Sequence, residues 1–211
     1  LHLLIRIYSH DKNKSEKTMA FIERVLNLSK IVNDKKMEMH YNDMKIVFLI
    51  GLKKQKEAIE FIKSKLTAKE YQEDKKHLLA ILINLGNAYY DLYELDNAQQ
   101  AYNDALLLAQ ELSNNSSIAK LLGRLGAIYA DKGDLKVSNE KLLSSIDYIN
   151  ELKDNYLLGQ QYCLLAMNEK DAENIEKAEE YCNDAITAYS ETKSELHISK
   201  AKELLASIKE M

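Results

Sequence analysis

Two cations four residues apart, Lys120 and Arg124, and two amides three residues apart, Asn84 and Asn87, are the side chains of this sequence best suited to holding a ligand. On one face of a helix, a Lys and an Arg one turn apart can grip a carboxylate by charge-assisted hydrogen bonds. An Asn side chain both donates and accepts, which suits the backbone of an extended peptide. Tyr90 is expected to point the same way as the two amides, with its neighbour Tyr89 turned into the core. By contrast, residues for metal or phosphate chemistry are not grouped. His2, His10, His40, His77 and His197 have no neighbours at metal-ligand spacing, and no Gly-rich phosphate loop occurs.

The elements that must position these groups show themselves as a repeat. Stepping by 40 residues from Ala98 gives Thr18, Ala58, Ser138 and Ala178, all small. Four residues on, Ile22, Ile62, Tyr102, Leu142 and Cys182 form a bulkier series. An aromatic series, Tyr8, Phe48, Tyr89 and Tyr129, fails at Glu169, while Leu85-Gly86, Leu125-Gly126, Leu165-Ala166 and Leu205-Ala206 continue the period. Antiparallel helices approach closely only where one side chain is small, and a larger one then fills the adjoining space. Gly86 and Gly126 lie inside helical patterns, where Gly costs about 1 kcal/mol relative to Ala, so close approach of another helix is the expected compensation.

Composition points the same way. The 211 residues are 46% hydrophobic, with no Pro and only six Gly, enough to bury a core with few helix breakers. The fold class is all-α: a right-handed superhelical α-solenoid of antiparallel helix pairs, about 11 helices in one domain over 1–211. The helices are expected over 1–9 with 14–33, 35–51 with 54–68, 75–92 with 95–112, 115–131 with 134–152, and 156–171 with 174–191. These give repeats over about 1–33, 35–68, 75–112, 115–152 and 156–191, and a capping helix over 194–210. Turns fall at 131–134 and 113–117, where Gly, Asn and Ser supply turn geometry.

The order Leu85-Gly86, Tyr89, Ala98, Tyr102, Ala105 resembles the tetratricopeptide repeat. The resemblance is fullest in the third repeat. The fourth has Ser138 and Ser145 for the two alanines, the fifth has Glu169 for the aromatic, and repeats one and two are degenerate. The period is about 40 rather than about 34 residues, so the second helices are expected to run longer. The resemblance implies a binding module whose first helices line a concave groove for a peptide or protein. It also implies a partial carboxylate clamp: Asn84, Lys120 and Arg124 match three of the five positions of such clamps, but the others fall on Asp43 and Val47, or on Asn42 and Ile46. The same side chains on a solvated helix face need no ligand. Asp91, Asp131 and Asp171 recur by 40 and suit either turn and cap positions or an acidic edge to the groove.

The remaining bounds are negative ones. Net charge is −4 and no Lys/Arg-rich run occurs, so nucleic-acid binding by this segment is not expected. The apolar run from Met44 to Leu52 is too short to span a bilayer. Cys163 and Cys182 read as reduced thiols of a cytoplasmic protein, and with no His in its own repeat Cys163 reads as structural rather than nucleophilic. The chain begins at Leu1 and reads as a fragment or processed form. The expectation is a non-enzymatic scaffold or adaptor without cofactor or metal, contacting its ligand through Asn84, Asn87, Tyr90, Lys120 and Arg124. The alternative is the peptide-sensing part of a larger bacterial regulator, to which the final helix could couple an effector domain.

Overall fold

The computed structural model describes residues 12–210, so the expected helix over 1–9, with Tyr8, His2 and His10, lies outside the described residues. Among those described, the structure is all-α without strands. In chain order the helices are α1 (Lys12–Ile31), α2 (Lys35–Gly51), α3 (Gln55–Leu66), α4 (Lys69–Glu73), α5 (Lys75–Asp91), α6 (Leu95–Glu111), α7 (Asn115–Asp131), α8 (Leu135–Leu152), α9 (Asn155–Asp171), α10 (Ile175–Glu191) and α11 (Glu195–Lys209). Two differences from expectation stand out. A single-turn helix, α4, follows α3, and the second helices are not longer: α6 and α10 have 17 residues and α8 has 18, against 17 in each of α5, α7 and α9.

The added length is therefore shared, and the period of 40 divides into two halves of 20. The turns carry this division. Asn33, Lys53, Tyr93, Ser113, Gly133, Lys153, Glu173 and Lys193 all have positive φ, and the series misses only position 73, where α4 stands. After each of these residues, the next backbone N–H bonds back to the carbonyl five residues earlier, as in Asp34 to Ser29 at 2.8 Å and Asp134 to Tyr129 at 2.9 Å. That six-to-one bond closes the preceding helix. The same residue then opens the next one: the side chains of Asp34, Asn114, Asp134 and Asp154 accept backbone N–H groups of the following first turn, as Asp74 does after the exceptional α4. Asp91, Asp131 and Asp171, by contrast, are the last residues of α5, α7 and α9 and cap no helix start.

The chain forms two compact units, Leu1–Leu108 and Ala109–Met211. From the second repeat on, the packing in both follows the small and bulky series, while Thr18 of the first repeat is only half-buried. Ala58, Ala98, Ser138 and Ala178 are fully buried, as are Ile62, Tyr102, Leu142 and Cys182, each at 0% exposure. In the first unit the Tyr102 ring lies on Gly86, where a Cβ would stand 2.4 Å from ring carbons. In the second, Leu142 lies on Gly126 in the same way, with a Cβ there 2.8 Å from its side chain. Where the first helix has Ala166 instead of Gly, the smaller Cys182 packs in the same cluster. The side chain on one helix thus scales with the space left by the other. Leu at position 98 is expected to cost about 1–3 kcal/mol by overpacking, and Tyr102→Ala about 3–5 kcal/mol by leaving a cavity, both read from urea denaturation.

Candidate functional site

In the first unit, Asn84, Asn87 and Tyr90 stand together on α5 and are all half-buried. The Tyr102 hydroxyl donates to Asn87 Oδ1 at 2.7 Å. The ring that fills the space over Gly86 therefore fixes one of the candidate amides, whose N–H groups are left to donate. Asp91, at the end of the same helix, accepts from Gln55 Nε2 at 3.0 Å, tying α5 to the start of α3.

The neighbouring first helix, α2, does not complete a clamp. Asn42 and Ile46 are buried, and Asp43 is engaged by its surroundings. Its Oδ2 lies 2.5 Å from His77 Nδ1 on α5, and its Oδ1 accepts from the Tyr71 hydroxyl at 3.2 Å. That hydroxyl also lies 3.3 Å from the Met39 carbonyl, and Tyr71 is buried. Tyr71 belongs to α4, which explains why the regular turn fails at position 73: the one-turn helix inserts a ring under α2 and ends it on a carboxylate. Burial pushes the Asp43 carboxyl above its usual range, against the opposing pull of His77 and Tyr71. Burial and the Asp43 charge push the Tyr71 hydroxyl upward too. Because the folded-state pKa of Asp43 exceeds its unfolded value, its favourable contribution belongs to the protonated form and is lost as pH rises through the folded pKa. Relative to Asp43→Asn, the wild type is therefore expected to lose stability as pH rises above the ordinary value of 3.8, in urea denaturations over a pH series. A difference that grows in the other direction would show that the bonds from His77 and Tyr71 outweigh burial.

In the second unit, Lys120 and Arg124 are both exposed on α7, one turn apart, and neither forms an ion pair among the described residues. Between them in sequence, Gly123 is buried rather than presented at the surface. A Cβ at this glycine would lie 2.6 Å from Oε1 of Gln161 on α9. That oxygen is buried without a hydrogen-bond partner, a condition that costs about 1–3 kcal/mol. Further along α9, Met167 is 49% exposed and Lys170 donates to Ser207 of α11 at 3.0 Å. Cys163 is half-buried beside Tyr189; burial raises its thiol while a bond with the Tyr189 side chain opposes the shift. Cys182 is buried and its thiol is pushed up to about 11. Both thiols are thus held in the protonated, weakly nucleophilic form.

The departures of repeats four and five from the pattern meet in one network. Glu169, buried where an aromatic was expected, accepts from Asn139 Nδ2 and Asn174 Nδ2, each at 2.7 Å. Asn168 Nδ2 donates to Ser138 Oγ and Asn139 Oδ1, again at 2.7 Å. Ser145 donates to the Ala119 carbonyl at 2.7 Å. The polar residues replacing Ala and Tyr are therefore satisfied inside the fold, Ser138 and Glu169 by neighbouring amides and Ser145 by a backbone carbonyl, rather than exposed for a ligand. A paired signal existed in the sequence, since Ser138-Asn139 and Asn168-Glu169 depart together. Of the five groove candidates, the structure groups Asn84, Asn87 and Tyr90 on α5 of one unit and Lys120 and Arg124 on α7 of the other.

Neither a known protein family nor a curated protein matches this sequence. Solved structures do match, and they share the tetratricopeptide-type helical-repeat fold that the chain has. The apo form of RapI superposes with a TM-score of 0.81 at 14% identity, covering 93% of this chain and 72% of that one. BtubC from P. vanneervenii gives 0.79 at 14% identity, over 92% and 82% of the two chains. Aspartyl phosphate phosphatase F from Bacillus subtilis gives 0.80 at 15% identity over 88% of this chain, which spans 49% of its length.

Proposed function

We propose that this chain binds a peptide or protein on the faces of its first helices, through Asn84, Asn87 and Tyr90 on α5 of the first unit and through Lys120 and Arg124 on α7 of the second, as a scaffold or adaptor rather than a catalyst. The observation that carries the reading is the exposed Lys120–Arg124 pair on α7. In a chain with 33 acidic and 29 basic residues, two adjacent cations lack an internal partner among the described residues. A ligand carboxylate is their natural complement. Asn84 and the free amide hydrogens of Asn87 then serve a peptide backbone, and Tyr90 offers a ring beside them. Asp43, already held by His77 and Tyr71, makes a five-residue carboxylate clamp the wrong comparison. A partial grip on an acidic segment fits better. The net charge of −4 speaks against nucleic acid as the partner. No helix among the described residues is long and apolar enough to cross a membrane, and a cytoplasmic setting is part of the same proposal.

A second reading, the sensing part of a larger regulator, draws support from the kinds of protein that share the fold. They include a Rap protein complexed with competence and sporulation factor, at a TM-score of 0.65 and 16% identity over 98% of this chain and 61% of that one. The two readings differ in what ligand binding does, and both need the same groove. Peptides selected on the wild type from a displayed random heptapeptide library are expected to bind Lys120→Glu/Arg124→Glu at least about tenfold more weakly. They should also be enriched in acidic residues and weakened by salt. Selected peptides that bind both forms equally remove Lys120 and Arg124 from the site.

A further inference from the structure

Among the described residues, Oε1 of Gln161 is the buried side-chain oxygen left without a hydrogen-bond donor. The residue is only 3% exposed. Its amide lies in the notch at Gly123, where a Cβ would stand 2.6 Å from Oε1, 2.9 Å from Nε2 and 3.0 Å from the amide carbon. The fold has no need of an amide here: a methionine of similar length would fill the notch without stranding a polar atom. The position of the notch supplies a reason for keeping it. Gly123 lies next to Arg124 and three residues after Lys120 on α7, and Gln161 lies next to Gln160 and three before Leu164 on α9. At 100° per residue, Gly123 borders the Lys120–Arg124 stripe of α7, and Gln161 packs against it from α9. A glutamine side chain turns about two staggered torsions and a broad terminal one, so its amide can leave the notch without a shift of the backbone.

We propose that Gln161 is a ligand-receiving amide, parked in the Gly123 notch in the free protein and turned outward to accept a backbone N–H of an extended acidic peptide. This rests on the reading of Lys120 and Arg124 as the carboxylate-binding pair. The stranded oxygen is an acceptor, so its partner is a donor, and the cations beside it select the opposite charge. A peptide segment with an acidic side chain or a free terminus offers both groups within one or two residues. Binding then relieves an unmet hydrogen bond in the protein as well as forming one with the ligand.

The test uses a fluorescein-labelled Ala-Asp-Ala-Asp-Ala peptide with a free carboxyl end, and the same peptide with N-methylated backbone amides, titrated by anisotropy. Wild type is expected to prefer the unmethylated probe by about tenfold, the size of one hydrogen bond to a peptide group. Gln161→Met should lose that preference while melting no lower than wild type, since it keeps the notch filled and removes the stranded oxygen. Gly123→Ala, whose Cβ displaces the amide, should bind the unmethylated probe more tightly; Gln161→Met carries the test alone if that variant fails to fold. A preference that survives in Gln161→Met, or a wild type that binds neither probe, overturns the proposal. If Lys120→Glu/Arg124→Glu weakens both probes while Gln161→Met keeps the preference, the amide's role falls and the groove reading stands. If the charge-reversed variant binds both probes as wild type does, the groove reading itself falls.

Discussion

The close contact within each helix pair governs the rest of this structure. A glycine or alanine on the first helix admits a side chain from the second, and the two sizes are matched: Tyr102 on Gly86, Leu142 on Gly126, Cys182 with Ala166. Removing a Cβ in a helix costs about 1 kcal/mol of intrinsic propensity, and that cost is offset only when the space is refilled by a large apolar group. The same contact positions function. Tyr102, seated on Gly86, reaches Asn87 with its hydroxyl, so a packing decision in the pair sets which atoms of a groove amide remain available.

Between pairs, the structure trades apolar for polar complementarity where the period weakens. Glu169, Asn168, Ser138 and Asn139 replace an aromatic and an alanine, yet every amide and carboxylate in the group finds a partner at hydrogen-bond distance. A buried carboxylate with two amide donors is tolerated because both oxygens are satisfied. Tyr71, Asp43 and His77 do the same in the first unit, with α4 supplying the ring. Gln161 stands apart from these groups. Among the described residues its oxygen is the buried side-chain atom left without a partner, and it lies against Gly123, which stands between the unpaired cations of α7 in sequence.

The turns show how few residue types a periodic fold needs. Seven of the eight positive-φ positions are not glycine, so the strain of a left-handed residue is borne repeatedly rather than avoided. What holds them is the double use of the following residue: its backbone N–H closes one helix and, where it is Asp or Asn with a free side chain, its carboxyl or amide opens the next. That arrangement leaves no room for long loops, and a 20-residue half-period follows from 17 helical residues and a three-residue turn.

The amino-acid order alone determined the helix pairs, their period and the size-matched contacts, because these depend on local periodicity and on residue volume, which a sequence displays directly. Ala58, Ala98, Ser138 and Ala178 could be placed at the interface by spacing, and all are fully buried. The candidate groove residues could be placed on helices by the same count. Their hydrogen-bonding state could not. That Asn87 is bonded by Tyr102, that Asp43 is held by two side chains from α4 and α5, and that Gln161 rests unsatisfied against Gly123 all depend on which side chain reaches which atom across separate helices. The one-turn α4 was hidden for the same reason: five residues carry too little local preference to declare a helix, and its place is decided by where the Tyr71 ring can be buried.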